Sequence, residues 1–435
     1  MIQIVRTNRH GESSDRRRHS PVIAPTVWEV AKRSREVACS TKLLIRRTDD
    51  NVVAIMRKIF YVGALLLLLF EVANVYFIMP MPGSQRMRSI DVAYFLYRWR
   101  WEFRVVFGAL IVAGLWSAWN APGRRKWIAP ASLVVVASVA YATNFVMAAD
   151  RMFLPPTVLT MEPAADNKVE EARLVVGVEL NGEARAYPVQ YIGYHHQVRD
   201  TVGGSPVLVS YCTVCRTGRV FVPTVNGRSE TFRLVGMDHF NAMFEDATTG
   251  SWWRQANGEA IVGPKTGTFL REIPSLQVTL KEWLTLHPAS LIMQPDSTFK
   301  DEYAKDYAFE NGTSRKKLTG TDTISWRDKA WVVGVTLNRA SRAFDWNRLR
   351  REKVVNDEVG GQPIVLVLAR DSTSFFAFER PDSSTRFALR GDSLLGGGHA
   401  YALTGRGKGD ALKPVFASQE FWHSWREFHP GTTTY

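Results

Sequence analysis

The sequence predicts N-terminal α-helical membrane segments followed by a mainly β (β-rich α+β) soluble part made of two tandem repeats, each closed by a C-terminal helix. Three observations support this fold class. Long apolar segments are confined to residues 59–148. Short β-branched runs separated by Asn-Gly and Gly-Gly turns fill residues 151–435. Within this second part, stretches of sequence recur at a constant offset of 157 residues.

Three apolar segments are expected to cross a membrane: Ile59–Met79, Phe103–Trp119 and Trp127–Met147. The hydrocarbon core of a bilayer requires about 20 apolar helical residues, a length that the first and third segments reach. Glu71 falls near the middle of the first segment. An intramembrane carboxylate is a candidate for function, and a protonated or snorkelling group is the alternative interpretation.

The net charge of +13 is concentrated beside these segments. Residues 1–150 hold 21 Lys/Arg and 10 Asp/Glu of the chain's 55 and 42, which leaves 34 and 32 for residues 151–435. Such an excess is an orientation signal, and nucleic-acid binding is therefore excluded. Placing Arg57-Lys58 and Arg124–Lys126 in the cytoplasm predicts an inner-membrane protein whose soluble part is periplasmic. The arginines of the loop 80–104 argue against this orientation.

Composition divides the chain into four parts. Residues 1–55 are polar and Arg-rich, which predicts a disordered tail, part of which is absent if translation begins at Met56. Asp301–Lys317 is polar and is expected to be a linker. The predicted parts are the tail at residues 1–55, three transmembrane helices at 56–150, a first β-rich repeat at 151–300 and a second, degenerate repeat at 318–435.

The internal repeat is visible in two pairs of stretches. VVGVELNGEARAY, which begins at Val175, matches VVGVTLNRASRAF, which begins at Val332. The same offset places VRDTVGGSPVLV, from Val198, over VNDEVGGQPIVL, from Val355. The repeated unit has roughly 115 residues, which is longer than a solenoid repeat and indicates duplication of a domain.

A short helix is expected at the end of each copy. Thr279-Leu-Lys-Glu282 is a capping box, and the helix it begins should end before Pro288. The second copy carries a similar stretch, HSWREFHP, at residues 423–430. Residues 174–288 and 331–430 are therefore expected to share one strand order.

The second copy also serves as a control for the chemistry of the first. Turn residues such as the Gly-Gly pair occur in both copies and have a structural reason to be there. A set of potentially reactive residues occurs only in the first copy. At the same offset, Cys212 faces Ala369, Cys215 faces Ser372, His195 faces Glu352 and His196 faces Lys353.

Cys212-Thr-Val-Cys215 is the main candidate for chemistry. A C-x-x-C sequence can be a redox dithiol, and between two strands it also resembles a metal knuckle. His195 precedes the central strand and is expected within about 5 Å of a cysteine sulfur, close enough to share a proton or a metal. On a strand, His196 would point to the opposite face. His239 follows another predicted strand and could supply a fourth ligand.

These motifs resemble the bacterial family DUF3179, a domain of unknown function, over roughly residues 151–435. The resemblance rests on HHQVRDTVGGSPVLVSYCTVCRTG, on TGSWWRQANGEAIVGP and on the paired His-Pro helix ends. The family has Trp-His where this chain has Tyr194-His195, which singles out His195 over His196. The family also has C-P-x-C-G where this chain has Cys212-Thr-Val-Cys-Arg216, so that Arg216 replaces the glycine. The resemblance implies no reaction; relatives described as selenoproteins favour redox chemistry, and Arg216 would favour a thiolate electrostatically.

Three functions remain open from sequence. In a thiol–disulfide redox site, Cys212 or Cys215 is the nucleophile and the other is the resolving thiol, with His195 as base or thiolate partner and Arg216 stabilising the charge. In a metal module, zinc or copper is held by the cysteines and His195, with His239 as a further ligand. The third function is a structural disulfide beneath a partner-binding surface. The membrane and a protein redox or metal-delivery partner are the expected partners.

Overall fold

The computed structural model describes residues 27–391 and 393–435; residues 1–26, which hold part of the predicted tail, lie outside the described residues. The α-helices are α1 Val27–Tyr76, α2 Ile90–Arg98, α3 Arg100–Trp119, α4 Ile128–Tyr141, α5 Ala149–Met152, α6 Val189–His195, α7 Leu280–Leu286, α8 Trp346–Glu352 and α9 Trp422–Phe428. Single turns of tighter helix lie at Ser84–Arg86, Gly123–Trp127 and Ser297–Phe299, and a π-helical turn lies at Ala142–Val146.

The first half of the β-rich part contains the strands β1 Met161–Pro163, β2 Leu174–Leu180, β3 Glu183–Pro188, β4 Gln197–Val202, β5 Ser205–Cys212, β6 Thr217–Phe221, β7 Thr224–Val225, β8 Arg228–Ser229, β9 Phe232–Asp238, β10 Asn241–Asp246, β11 Trp252–Arg254, β12 Ala260–Val262, β13 Glu272–Ile273, β14 Leu276–Thr279 and β15 Leu291–Met293. The second half contains β16 Trp331–Leu337, β17 Ala340–Asp345, β18 Val354–Val359, β19 Gln362–Leu368, β20 Phe375–Glu379, β21 Ala388–Arg390, β22 Ser393–Gly396, β23 His399–Ala402, β24 Ala417–Phe421 and β25 Thr433–Thr434.

The first helix begins well before the first apolar segment and ends three residues before the end of that segment. α1 begins at Val27, so residues 27–55 are helical, where composition predicts a disordered tail. The reason is local: this stretch contains no proline or glycine and is rich in Ala, Arg, Lys and Leu, which favour helix. The helix ends shortly before Pro80, since a proline disfavours helical conformation in the residue before it.

Three helical segments of the described chain are long and apolar enough to cross a membrane, namely Val30–Tyr76, Arg100–Trp119 and Gly123–Val146. They contain or overlap the three segments expected from the sequence. The third includes the π-helical turn, a feature that is frequent at functional positions.

The chain forms two compact units. Among the described residues, one unit contains those up to Val62 together with Leu110–Pro130, and the other contains Gly63–Ala109 together with Ala131–Tyr435. In the first unit α1 and α3 touch at Gly114, where a Cβ atom would lie 2.3 Å from the carbonyl oxygen of Met56. Glycine is therefore required for this close approach.

The β-rich part of the second unit consists of several small sheets. The strand orders are β1-β15-β3-β2-β14, β24-β16-β17-β25, β13-β6-β5-β4, β18-β19-β20 and β12-β11-β10-β9. In each half, a hairpin leads into a short helix and a second hairpin. The elements β2, β3, α6, β4 and β5 begin 157 residues before β16, β17, α8, β18 and β19.

A tryptophan packs on a glycine of the facing strand at two places. A Cβ atom at Gly177 would lie 2.3 Å from the ring of Trp283, which belongs to α7. A Cβ atom at Gly334 would lie 2.0 Å from the ring of Trp425, which belongs to α9. Each of these helices follows a strand, β14 or β24, that pairs antiparallel with the strand of the glycine.

Candidate functional site

The two cysteines of the C-x-x-C sequence flank a tight turn between paired strands. Cys212 is the last residue of β5 and pairs with Thr217, the first residue of β6. Arg216 closes the turn with a φ of +58°, in the left-handed region. Cys212 and Cys215 are both fully buried, and both are free thiols. The strand–turn–strand context expected from the sequence therefore holds, and no helix begins at the motif.

A second turn lies over the two sulfurs. His239 and Phe240 connect β9 to β10, and their φ values are +49° and +67°. The Phe240 carbonyl accepts hydrogen bonds from the thiols, at 3.6 Å from Sγ of Cys212 and 3.3 Å from Sγ of Cys215. Two-residue hairpin turns of this conformation usually contain Asn or Gly, so the pair of larger residues is strained. We name His239–Phe240 the covering turn.

The covering turn is held by the segment that follows α1. The backbone N–H of Phe240 donates to Oε1 of Gln85 at 3.0 Å. The side-chain amide of Gln85 in turn donates to the carbonyls of Phe77 and Met79, each at 3.2 Å. The backbone N–H of Met237 also donates to a carbonyl just beyond α1, that of Ile78, at 2.7 Å. The end of the first apolar helix is thus bonded to the hairpin that covers the thiols.

The surroundings shift the pKa values of the two thiols in opposite directions. Burial opposes ionisation of Cys212, but hydrogen bonds from the Cys215 thiol and from the backbone N–H groups of Ala242, Cys215 and Val214 outweigh it and lower the pKa of Cys212. Burial, together with the hydrogen bond to Cys212 and the charge of its thiolate, raises the pKa of Cys215 well above its usual range. Cys212 is therefore the thiol that ionises first.

The second half of the chain supplies one wall of the thiol site. The backbone N–H of Phe421 donates to the Cys215 carbonyl at 2.9 Å, and the Nε2–H of His423 donates to the Val214 carbonyl at 3.1 Å. Burial and Cys212 raise the pKa of Cys215 overall, and hydrogen bonds from the Asn241 side chain and then from the Ser424 hydroxyl act in the opposite direction. The sequence contained a weak signal for this wall. The closing-helix stretch of the second copy, HSWREFHP, has two histidines, whereas the matching stretch of the first copy, EWLTLHP, has one.

A buried carboxylate lies behind Ser424. The Ser424 hydroxyl donates to Oε2 of Glu420 at 2.9 Å, and the guanidinium of Arg219 donates to Oε1 of the same carboxylate at 2.5 Å. Glu420 is fully buried. Since Ser424 has one hydroxyl proton, it can donate either to the carboxylate or to the Cys215 thiolate, but not to both at once.

His195 has partners other than the cysteines. It is the last residue of α6, and its Nδ1 and Nε2 lie 2.6 Å from the Leu154 carbonyl and 2.9 Å from the Tyr303 hydroxyl. Both ring nitrogens are thus engaged, and burial lowers the pKa of the ring. Neither contact involves a sulfur, in contrast to the proximity expected from the sequence.

His196 does not occupy a strand either. It follows α6 in the left-handed conformation, with a φ of +61°, and its buried ring packs against Phe153 at 4.4 Å between centroids. The sequence argument assigned His195 and His196 to opposite faces of a strand. Residues 189–195 instead form a helix, so the alternation of a strand does not apply.

Arg216 contacts the other half of the chain. Its fully buried guanidinium donates to Oε1 of Gln419 at 2.8 Å and stacks on Trp331 at 3.6 Å. It also donates to the carbonyls of Phe309 and Glu310 at 2.8 and 3.0 Å. These carbonyls belong to the predicted linker, which is irregular but well anchored. None of these partners is a sulfur. The sequence had instead suggested that Arg216 stabilises the thiolate.

His239 pairs with a carboxylate. Its Nδ1–H donates to Oδ1 of Asp238 at 2.7 Å, and this hydrogen bond raises the pKa of the ring. Asp238 also pairs with Arg254 at 2.7 Å. Within residues 27–391 and 393–435, no group of three or more His, Cys, Asp or Glu is arranged to hold a metal ion. The four residues proposed as zinc or copper ligands therefore do not converge.

A cavity of about 670 Å³ adjoins the thiol turn. Its lining includes Val214 of the C-x-x-C turn and Phe240 of the covering turn, but neither cysteine. We name it the basic cavity because cations predominate in its lining. Its remaining lining residues are Gln85, Arg86, Arg88, His239, Lys317, Leu318, Asp328, Lys329, His423, Arg426 and Glu427.

Lys329 is the cation of this cavity that interacts with the thiols. Burial lowers its pKa, while the charges of Cys215 and Cys212 act in the opposite direction. Its ammonium group donates to the carbonyls of Lys317 and Leu318. Nothing in the sequence around Lys329 indicated this position, since it lies more than 100 residues from the motif.

A separate polar cluster lies among the apolar helices. Nε and Nη2 of Arg104 in α3 donate to the two carboxylate oxygens of Glu71 in α1, at 2.7 and 2.9 Å. Asn144, in the π-helical turn, donates to the same carboxylate at 2.8 Å and accepts from Arg104 at 2.8 Å. Glu71 is 2% exposed. The partner that the sequence left unassigned is therefore Arg104.

Comparison with known families assigns the β-rich part. The model of the family described as "Protein of unknown function (DUF3179)" matches residues 155–432, which is more than half of the chain. The chain belongs to this family. The DUF3179 region includes the cysteine turn, the covering turn and α9, and it begins after the apolar helices. No curated protein and no solved structure matches the chain.

Proposed function

We propose that this DUF3179 protein is a membrane-anchored thiol–disulfide oxidoreductase in which Cys212 is the attacking thiolate and Cys215 is the resolving thiol. One observation supports this assignment above the others. Cys212 and Cys215 are both buried, free thiols beneath the Phe240 carbonyl, and the Cys215 thiol together with three backbone N–H groups lowers the pKa of Cys212 in spite of its burial. An acidic thiol paired with a less acidic one is the arrangement that disulfide exchange requires.

The proposed reaction is a two-step exchange. The Cys212 thiolate attacks one sulfur of a substrate disulfide, forming a mixed disulfide and releasing the other substrate half as a thiolate. Cys215 then loses its proton and attacks the Cys212 sulfur, which forms the Cys212–Cys215 disulfide and releases the second half. The substrate disulfide is reduced by two electrons and the dithiol is oxidised. A dithiol reductant, such as a partner protein, returns the pair to the reduced state.

Ser424, in the wall supplied by the second half, assists Cys215 as the resolving thiol. As Cys215 ionises, the Ser424 hydroxyl can turn from Glu420 to the new thiolate, because it is within reach of both. This replaces His195 as the group that assists the second thiol. Lys329 replaces Arg216 as the cation that favours negative charge at the pair.

Substrate reaches the thiols, in this proposal, when the covering turn moves. The Phe240 carbonyl caps both sulfurs, and the two residues of the turn have strained positive φ values. Strain of about 1–3 kcal/mol for such a residue lowers the cost of displacing the turn. The closed state protects an acidic thiol from adventitious oxidation.

We also propose that the soluble part lies outside the cytoplasm and is anchored in the inner membrane by three spans. Arg57-Lys58 and Arg124–Lys126 both belong to the smaller compact unit, which is consistent with one cytoplasmic side for the two basic segments. Disulfides, the proposed substrates, form and persist in such an oxidising compartment.

We further propose that the two halves arose by duplication of one domain. The 157-residue spacing of five successive elements and the repeated Gly–Trp packing support this. In this interpretation the second copy lost the cysteines, and its last strand and closing helix became the wall of the thiol site.

Trapping of the mixed disulfide tests the proposed reaction. In a Cys39→Ser background, the Cys215→Ser variant should accumulate a mixed disulfide at Cys212 with a small disulfide reagent, because the resolving thiol is absent. The matched Cys212→Ser variant should form far less at Cys215. Mass spectrometry of the peptide that contains both positions gives the readout. Equal modification of the two single-cysteine variants would contradict the assignment of roles.

A further inference from the structure

The basic cavity has more positive charge than its own carboxylates can balance. Its lining includes five cationic side chains, from Arg86, Arg88, Lys317, Lys329 and Arg426, against Asp328 and Glu427. Arg426 pairs with Asp328 at 2.7 Å. In the part of the chain that the structure describes, Arg86, Arg88 and Lys317 form no ion pair.

We propose that the basic cavity is the substrate pocket of the thiol site and that it selects low-molecular-weight disulfides bearing carboxylate groups. This inference rests on the proposed exchange at Cys212 and names its substrate class. The volume of about 670 Å³ lies within the range of small-molecule sites. Unpaired arginines bind carboxylates through two parallel hydrogen bonds, so an anionic ligand supplies the partners that the protein lacks.

The cavity is lined by residues of the two turns that surround the thiols, so a ligand bound there lies beside the groups that react with a disulfide. The lining includes Val214, which lies between the two cysteines, and Phe240, whose carbonyl caps both sulfurs. Displacement of the covering turn therefore exposes the sulfurs to a ligand already bound in the cavity. The charges of the thiols also act on Lys329 in the lining, which places the two thiols in the same electrostatic environment.

The same short segment links ligand binding to the covering turn. Arg86 and Arg88 directly follow Gln85, whose side chain accepts the hydrogen bond from the N–H of Phe240. A carboxylate bound by the two arginines therefore contacts the segment that holds the turn closed. In the reaction, one carboxylate-bearing half remains on Cys212 as a mixed disulfide and the other leaves as a thiolate, until Cys215 releases the first half.

Charge preference among disulfide reagents tests the proposal. Full-length protein with Cys39→Ser, in discs of neutral lipid, is reacted with dithiobis(nitrobenzoate), dithiodipyridine and cystamine, which are dianionic, neutral and dicationic. Each rate is divided by that of the same reagent with a neutral cysteine peptide. We expect the dianion to react about 10-fold faster than the neutral reagent and cystamine more slowly, with a preference that weakens as salt is added.

Charge reversal identifies the cavity as the source of this preference. Arg86→Glu combined with Arg88→Glu should abolish or invert the preference, which is measured within each variant as the ratio of the rate with the dianion to the rate with the neutral reagent. Arg86→Lys combined with Arg88→Lys should keep much of it. Arg390→Glu, an exposed position outside the cavity, is the matched control and should retain the full preference.

The outcomes separate this inference from the proposed function. Equal relative rates with all three reagents, or a preference that survives reversal of both arginines, would overturn the anionic substrate class while leaving exchange at Cys212 intact. No reaction at Cys212 with any of the reagents would overturn the thiol–disulfide function itself.

Discussion

A backbone hydrogen bond of 2.9 Å joins the N–H of Phe421 to the carbonyl of Cys215. Phe421 ends β24, a strand that pairs with β16 of the second half, whereas Cys215 lies in the turn between β5 and β6 of the first half. The turn that carries the candidate chemistry is therefore held by a strand that lies about 200 residues later in the chain.

Ser424 and Ser418 allow the link to Cys215 to be isolated. Both hydroxyls donate to the Glu420 carboxylate, at 2.9 and 3.2 Å, but only Ser424 interacts with Cys215. Each change to alanine should lower the free energy of unfolding by about 1–2 kcal/mol. In a Cys212→Ser background, Ser424→Ala should also move the alkylation of Cys215 to higher pH, and Ser418→Ala should not. Identical pH profiles would argue against a role of Ser424 at the thiol.

His423 should make stability depend on mildly acidic pH. Burial lowers its pKa from 6.5 to about 4. Because the unfolded chain binds this proton at a higher pH than the folded protein does, the contribution is complete above pH 6.5. It is lost as pH falls from 6.5 to 4, at most about 3 kcal/mol. His423→Gln keeps a donor for the Val214 carbonyl. The free energy of unfolding of this variant, measured with urea, should fall less between pH 6.5 and 4 than that of the unmodified protein.

His239 provides a control of opposite sign. The hydrogen bond to Asp238 raises its pKa above 6.5, so its stabilising contribution is present below pH 6.5 and is lost as pH rises through the folded-state pKa. His239→Gln should therefore remove stability mainly at acidic pH. If the two glutamine variants changed the pH profile in the same direction, the assignment for His423 would be wrong.

Gln85 should control access to the thiols. Gln85→Ala removes the acceptor of the Phe240 N–H, a loss of about 1 kcal/mol that should increase the open population of the covering turn about 5-fold. Alkylation of Cys212 by a neutral reagent should accelerate by a similar factor. Gln85→Glu keeps the acceptor oxygen and should accelerate it less. An unchanged rate in both variants would show that the covering turn does not limit access.

The Glu71–Arg104 pair should stabilise the packing of the apolar helices. Arg104→Leu leaves a buried carboxylate without its bidentate partner, which typically costs about 3–5 kcal/mol. The double variant Glu71→Leu with Arg104→Leu should recover most of this loss, as measured by thermal unfolding in detergent. Arg98→Leu, at an exposed position of α2, should have little effect. Additive losses in the double variant would exclude a specific pairing.

Local sequence was sufficient for several elements. The Thr279 side chain accepts from the backbone N–H of Glu282 at 3.3 Å, as a capping box requires. Asn226-Gly227 forms the predicted turn between β7 and β8, with φ values of +53° and +74°. Two local expectations differ from the structure: His195 and His196 do not lie on a strand, because VQYIGYH forms α6, and residues 27–55 are helical where a disordered tail was expected.

The sequence by itself determined the apolar helices, the β-rich part, its membership of DUF3179 and the cysteine turn as the candidate site. These depend on residues that are close together in the chain, where periodicity and turn chemistry act directly. Only the tertiary structure decided which groups surround the sulfurs. Long-range packing, which no spacing rule predicts, brings Phe240 and Ser424 to the thiols and Lys329 to the adjoining cavity. His195, which is nearer in sequence, is turned toward Leu154 and Tyr303, because packing of α6 and not separation along the chain directs its ring.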